Sequence, residues 1–261
     1  MSVHPTAVVS KEAIISPKAE IGPFCVISGK AQIGAYTALD SNVRVGSPRG
    51  EVIIGEHNHL QAGAALGGPP QDLAHDDSPS KLVVGDHNRF GECVTVSLGS
   101  STGSGVTQVG NHCFLMAYAH VGHDCLIGDE VVITNLAQLA GHVTVERKVV
   151  VSGMVGCTQF VRLGELSFLT AGTLVNKDVA PYSIADGRWA SLRAVNRVGL
   201  RRAGLDASEI RNIGRAMRIL MNNSFTIEEV TKKIIGECLP SPNIDYLMNF
   251  VRTSEKGILR G

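Results

Sequence analysis

Residues 3–45 read VHPTAVVSKEAIISPKAEIGPFCVISGKAQIGAYTALDSNVRV. Counting in sixes from Val3 lands on Val9, Ile15, Ile21, Ile27, Ile33, Leu39 and Val45, an unbroken aliphatic series. Two places before most of these stands a small residue: Ala7, Ala13, Ala19, Cys25, Ala31 or Thr37. Glycine often follows, as at Gly22 and Gly34. A period of six matches neither a helical repeat nor simple strand alternation. It matches a parallel β-helix in which each hexapeptide makes one short strand and one corner, and three hexapeptides close a triangular coil. The aliphatic fills the interior, the small residue fits beside the corner, and glycine is expected to permit the turn. Residues three hexapeptides apart then stack in neighbouring coils, about 4.8 Å apart.

The ruler continues through most of the chain. It resumes as Ile54, Leu60 and Leu66, then as Val84, Phe90 and Val96, and runs from Val109 through Val121, Ile127 and Leu139 to Val175. Three stretches break it. SPRGEV (47–52) shifts the phase, and the Gly-, Pro-, Ser- and Asp-rich segments at 67–81 and 98–108 are expected to project as loops. Beyond Pro181 the pattern becomes helical. Asp206 with Glu209, and Thr226 with Glu229, have capping-box spacing. Ile210, Ile213, Met217 and Leu220 share one face, and a further helix follows Pro240 and Pro242. The expected organisation is a left-handed β-helix over 1–185 and a C-terminal helical domain over 186–261. The latter caps the open end that every repeat array must cover.

Composition narrows the function classes. The 24 basic and 24 acidic residues cancel, so no global charge favours nucleic acid or an anionic membrane. No apolar run approaches the length of a membrane span, and the first residues lack the pattern of a signal peptide. Six cysteines without a CxxC read as reduced thiols. The expectation is a cytoplasmic protein with no membrane insertion and no nucleic-acid partner.

The densest polar stretch is AYAHVGHDCLIGD (117–129). With Val121 inward, alternation points His120 outward, puts His123 and Asp124 at a corner, and turns Cys125 inward. A zinc site made of His120, His123 and Cys125 would need that cysteine to face the other way, so no metal is expected. Stacking places Gly141 and then Gln159 over His123, and His142 and then Phe160 over Asp124. An imidazole beside a carboxylate suits a general base. A glycine amide one coil away suits a developing oxyanion.

AHVGHDCLIGD, LAGHVTV, SGMVGCTQFVRLG, DVAPYSIADG, VNRVGLRRAG and the loop PPQDL occur in this order. Together they resemble the UDP-N-acetylglucosamine acyltransferase family of lipid A biosynthesis, within the hexapeptide-repeat acyltransferases. The resemblance spans essentially the whole chain. It implies a homotrimer that transfers a 3-hydroxyacyl group from acyl carrier protein to the 3-hydroxyl of UDP-N-acetylglucosamine. The donor's phosphopantetheine would be the only prosthetic group, with no cofactor or metal of the enzyme's own. By the same resemblance His123 would be the base, Asp124 its orienting partner and Gly141 the oxyanion donor. Gln71, Asp72, His120, His142 and Gln159 would touch sugar or acyl chain, and Ala171 would limit chain length. Asn196 and Arg202 would touch nucleotide or phosphopantetheine. The chain departs from the family pattern at Ala74, Ser97, Thr158, Val198 and Ala203. An N-acyltransferase acting on a 3-amino analogue, and a non-catalytic ligand-binding paralogue, remain as alternatives.

Overall fold

A computed structural model describes residues 2–261. Short strands, mostly of two residues, recur every six residues and stack into three sheets of eleven, nine and eight strands, parallel except for the last strand of the first, and these are the faces of a left-handed β-helix. The stacking interval is the expected one: Val121 lies beside Leu139, and Leu139 beside Cys157. Sheet one includes Phe114–Leu115, sheet two His120–Val121 and sheet three Leu126–Ile127. The ruler residues fill the prism: Val121, Ile133, Leu139, Val145 and Leu163 are all buried, each worth about 1.5–3 kcal/mol of burial. The small residues Ala19, Cys25, Ala31 and Thr37 are buried beside them.

The corners correct the expected role of glycine. Every sixth residue from Tyr118 to Leu166 lies in the left-handed region, at φ between 56° and 66°, and none is glycine. Asp124, His142 and Phe160 belong to this series. Such a conformation costs a non-glycine residue about 1–2 kcal/mol. Register offsets the cost, because every corner N–H of the series except that of Asp124 donates back to the preceding coil: His142 to His123 O at 2.9 Å, Met154 to Asn135 O at 3.0 Å. The glycine after the aliphatic is needed for space instead. A Cβ at Gly22 would stand 2.7 Å from Leu39 O, and one at Gly110 2.5 Å from an Asp129 carboxylate oxygen.

All three breaks in the ruler leave from one corner, between sheets two and three. Val45 is followed by a strand at Gly50–Ile54, Gly68 by Ser80–Val84, and Ser97 by Val106–Val109. The projecting segments are therefore 69–79 and 98–105, shorter than the expected loops, because their ends pair as strands. The next coils present His123–Asp124, His142 and Phe160 at that same corner. On another corner Tyr36, His57, His87 and His112 stack face to face at 4.7–4.9 Å, following the coil spacing.

Ser183–Asp186 extends sheet one and pairs antiparallel with Ser191–Val195, so strand carries past residue 185 into the stretch expected to be helical. Helices follow: α1 (Arg197–Arg202), α2 (Ala207–Met221), α3 (Ile227–Glu237) and α4 (Pro242–Arg252). Thr226 and Glu229 form the full capping box. Asp206 accepts from Glu209 N–H, but the Glu209 carboxylate is taken by Ser241 and Asn243. Helix α4 docks on the prism through Arg162, which stacks on Phe250 and donates to its carbonyl at 2.6 Å, and through Tyr246, which donates to Glu146. Of the six cysteines five are buried, and Cys93 is half-buried. The Cys25, Cys113 and Cys125 thiols each donate to a carbonyl of the next coil, at 2.9–3.1 Å.

Candidate active site

The short strand His120–Val121 sets the site. Val121 is inward and fully buried, so His120 faces out, where its Nδ1 lies 2.8 Å from Thr95 Oγ1. The chain then turns through Gly122, His123 and Asp124 before Cys125 re-enters the core as expected. His123 and Asp124 are both buried at this corner.

Asp124 is held from every side. Its N–H cannot reach a preceding corner carbonyl, because the chain has left the prism there, and the Thr107 hydroxyl accepts it instead at 2.8 Å. Its Oδ2 accepts from Ser100 N–H at 2.9 Å, Ser100 Oγ at 2.7 Å and His123 Nδ1 at 2.9 Å. Its Oδ1 accepts from Gly105 N–H at 2.9 Å and Ser104 Oγ at 3.2 Å. Burial alone would raise this carboxyl, but hydrogen bonds from His123, Ser100 and Ser104 outweigh it and hold Asp124 below the usual range. An ionised Asp124 keeps the proton of His123 on Nδ1, which leaves the Nε2 lone pair free. That end of the ring lies over Gly141: a Cβ there would come within 2.5 Å of Nε2 and of Cε1. Among the described residues the Gly141 N–H donates to no backbone carbonyl.

His142 meets His123 edge to face at 5.0 Å and stacks on Phe160 at 4.4 Å. Burial lowers the pKa of His120 and of His142 below the ordinary imidazole value, and at His142 the Asp124 carboxylate works against that lowering. His123, Asp124 and His142 bring ligand-type atoms within 4.8 Å of one another. This set differs from the His120, His123 and Cys125 combination considered from sequence, and its carboxylate already accepts five hydrogen bonds.

The remaining candidates divide by position. Asp72, in the 69–79 loop, accepts from Thr102 Oγ1 and from Ala74 N–H, and these bonds lower its pKa in that order. Thr102 Oγ1 lies 2.9 Å from Ser100 Oγ, which donates to Asp124, so two hydroxyls link Asp72 to the carboxylate behind the base. Gln71 is exposed on the same loop, and Gln159 is exposed two coils above His123. Ala171 is exposed at a different corner, stacked in the series of Asn135 and Gly153. Asn196 is buried with its amide spent on the fold: it caps α1 through Gly199 N–H and donates to Leu166 O at 2.8 Å. Arg202 is exposed in the last turn of α1. A single chain thus gathers Asp72, His120, His123, Asp124, Gly141 and His142 and leaves Ala171, Asn196 and Arg202 elsewhere. Sequence reasoning missed Ser100, Ser104, Gly105 and Thr107. Ser100, Ser104 and Gly105 lie in a run of small residues with no register, whereas Thr107 stands two places before Val109, in the small-residue position of the ruler.

Residues 178–259 match the family model described as Udp N-acetylglucosamine O-acyltransferase, domain 2, and residues 107–141 match the bacterial transferase hexapeptide model. The chain is 36% identical over 205 residues to an acyl-[acyl-carrier-protein]–UDP-N-acetylglucosamine O-acyltransferase from Gloeothece citriformis, covering 78% of this chain and 74% of that one. It is 37% identical over 211 residues to the protein of the same name from Anaeromyxobacter sp. (strain Fw109-5), covering 81% and 82%. The solved UDP-N-acetylglucosamine O-acyltransferase of Moraxella catarrhalis superposes on it with a TM-score of 0.95 at 34% identity over the whole of both chains.

Proposed function

The chain belongs to the UDP-N-acetylglucosamine O-acyltransferase family, and on that premise we propose how its residues move an acyl group from acyl carrier protein to the sugar. It is an acyl-[acyl-carrier-protein]–UDP-N-acetylglucosamine O-acyltransferase, and its product is the first intermediate of lipid A biosynthesis. His123 Nε2 takes the proton of the acceptor hydroxyl, whose oxygen attacks the carbonyl carbon of the thioester. The new C–O bond forms as the carbonyl oxygen gathers negative charge, and the Gly141 N–H donates to it. Collapse breaks the C–S bond, and the imidazolium returns its proton to the departing thiolate of the carrier's phosphopantetheine. Asp124 stays ionised throughout, holding Nδ1–H and stabilising the imidazolium. Asp72 and Gln71 accept sugar hydroxyls, while His120, His142 and Gln159 line the path of the substrates. No metal or further cofactor has a step.

One observation carries this reading: a buried imidazole with Nδ1 fixed by a carboxylate and Nε2 lying over the glycine of the next coil. The remaining roles rest on a homotrimer. A second prism would cover Tyr118, Leu136 and Met154, which are exposed one above another on an outer corner, and would supply Ala171, Asn196 and Arg202 near the site. We propose that the enzyme works in the cytoplasm. Among the described residues no helix is long and apolar enough to cross a membrane. The test is acyl transfer from 3-hydroxyacyl carrier proteins of several chain lengths to UDP-N-acetylglucosamine and to its 3-amino analogue. His123→Ala should abolish transfer and leave the melting temperature nearly unchanged. Full transfer by that variant would remove the base assignment, and sedimentation as a stable monomer would remove the trimer.

A further inference from the structure

A line of polar atoms joins the exposed edge of the site to the buried carboxylate behind the base. Thr102 Oγ1 donates to Asp72 Oδ2. Ser100 Oγ donates to Asp124 Oδ2 at 2.7 Å. The two hydroxyl oxygens lie 2.9 Å apart. Ser100 is completely buried, Thr102 is exposed, and Asp72 stands between these extremes. Gly103 closes over the far end, where a Cβ would meet the Asp124 carboxyl carbon at 2.5 Å and His142 Cε1 at 2.6 Å. The two loops are tied again by Ser101 N–H on His75 Nδ1 at 3.0 Å and Asp76 N–H on Ser101 Oγ at 3.1 Å.

The proton count along this line decides what it does. A hydroxyl carries one proton. Ionised Asp124 has none to give, so Ser100 spends its proton there, and ionised Asp72 likewise takes that of Thr102. The contact between the two hydroxyl oxygens then has no proton of its own. A ligand hydroxyl that donates to Asp72 changes the count. It replaces Thr102 at Oδ2, and Thr102 turns its proton onto Ser100 Oγ. The result is a continuous chain, Thr102 to Ser100 to Asp124, in which each bond polarises the next.

We propose that Ser100 and Thr102 are positioning residues that couple sugar hydroxyl binding at Asp72 to the fixing of Asp124 and the His123 ring. The proposal rests on the reading of His123 as base and Asp72 as a sugar contact. Arrival of a polyhydroxyl acceptor tightens the carboxylate that aims the base, so the base is best aligned when its substrate is present. No bond other than hydrogen bonds changes, and every proton stays on its own oxygen.

The test uses the full chain with acyl carrier protein and UDP-N-acetylglucosamine. Thr102→Val removes the hydroxyl and keeps the shape. It should lower kcat about threefold to tenfold while KM for the sugar nucleotide stays within about twofold. Thr102→Ser should restore kcat. Ser100→Ala should lower kcat similarly, and the double variant should fall no further than the worse single one, because both cut the same chain. A purely structural role predicts that KM and melting temperature move with kcat and that Thr102→Ser gives no special rescue, which would overturn the proposal. Wild-type kcat in Thr102→Val, or losses that multiply in the double variant, would also overturn it. If Ser100→Ala melts early, the Thr102→Val and Thr102→Ser pair decides alone. The two readings fail separately. Activity in His123→Ala removes the base, whereas an inactive His123→Ala beside a fully active Thr102→Val removes only the coupling.

Discussion

Replacing Gly141 with alanine adds one methyl group at the point where the imidazole of His123 rests. The new Cβ would stand 2.5 Å from Nε2 and Cε1, whereas ordinary van der Waals contact begins at 3.4 Å, so the ring must withdraw by roughly 1 Å. The backbone poses no obstacle, because Gly141 is not among the positive-φ glycines. The ring can yield by rotating, but Nδ1 then leaves Asp124 Oδ2, now 2.9 Å away, and Nε2 leaves its place above the glycine. A displacement of this size costs about 100-fold in rate, or about 2.7 kcal/mol of transition-state stabilisation. Folding should suffer little, since a side chain and not backbone gives way, and the melting temperature should stay within about 4 °C of wild type. The assay is steady-state transfer with both substrates varied, beside thermal melting. Gly236→Ala is the control: its Cβ would meet nothing within 4 Å, and in a helix it should add about 0.5–1 kcal/mol of stability at unchanged kcat. Wild-type kcat in Gly141→Ala would refute the placement of the base over this glycine.

Asp124→Asn should lower kcat by about 100-fold or more, since a neutral amide cannot favour the same imidazole tautomer or stabilise the imidazolium; kcat within twofold of wild type would contradict this. The lowered pKa of Asp124 also fixes the sign of an acid effect: its stabilisation is full above the unfolded carboxyl range and is lost as pH falls through the folded value, so the hydrogen-exchange protection of residues 98–105, measured against the intrinsic rate at each pH, should fall at acid pH. Glu146 behaves in the opposite sense. Burial raises its pKa, so its contribution is full below the unfolded value and is lost as pH rises through the folded one. Glu146→Gln, which can still accept from Tyr246, should therefore flatten the fall in stability from acid to neutral pH, as read by melting; an unchanged pH profile would count against it. Leu139→Ala, at a completely buried interior position, should cost about 2–5 kcal/mol in denaturant unfolding.

The prism was legible because a period of six has one economical solution. Each ruler residue from Val109 to Val175 that the sequence turns inward is buried, and the same register puts His123 beneath Gly141, where the ring lies. The physics of the corner was not legible. Sequence pattern gave glycine the turn, whereas backbone geometry gives the left-handed position to Tyr118, Asp124, Leu136 and their successors, and glycine only the space. The clasp around Asp124 was hidden for a different reason. Its donors are the amides of Ser100 and Gly105 and the small hydroxyls of Ser100 and Ser104, set by a loop with no repeat to index them. The strand at Ser191–Val195 and the diversion of Glu209 to Ser241 and Asn243 are tertiary choices that override local spacing. Asn196 belongs with these, since its amide is used in capping α1.

The buried thiols make this enzyme a reporter of its own unfolding. Burial pushes Cys113 up to about 11 and Cys125 and Cys157 up to about 12, so almost no thiolate exists at any of them near neutrality. Cys125 adjoins Asp124 in sequence, yet an electrophile in the active-site corner finds its sulfur on the other side of the wall, hydrogen-bonded to Ala140 O. Cys93, half-buried on the corner below Tyr118 that a second prism would cover, should be marked by thiol reagents when the trimer dissociates, whereas the coil thiols stay hidden in the folded chain. The reagents reach the three coil cysteines only when those coils open, so labelling each one in turn times the loosening of the prism rung by rung.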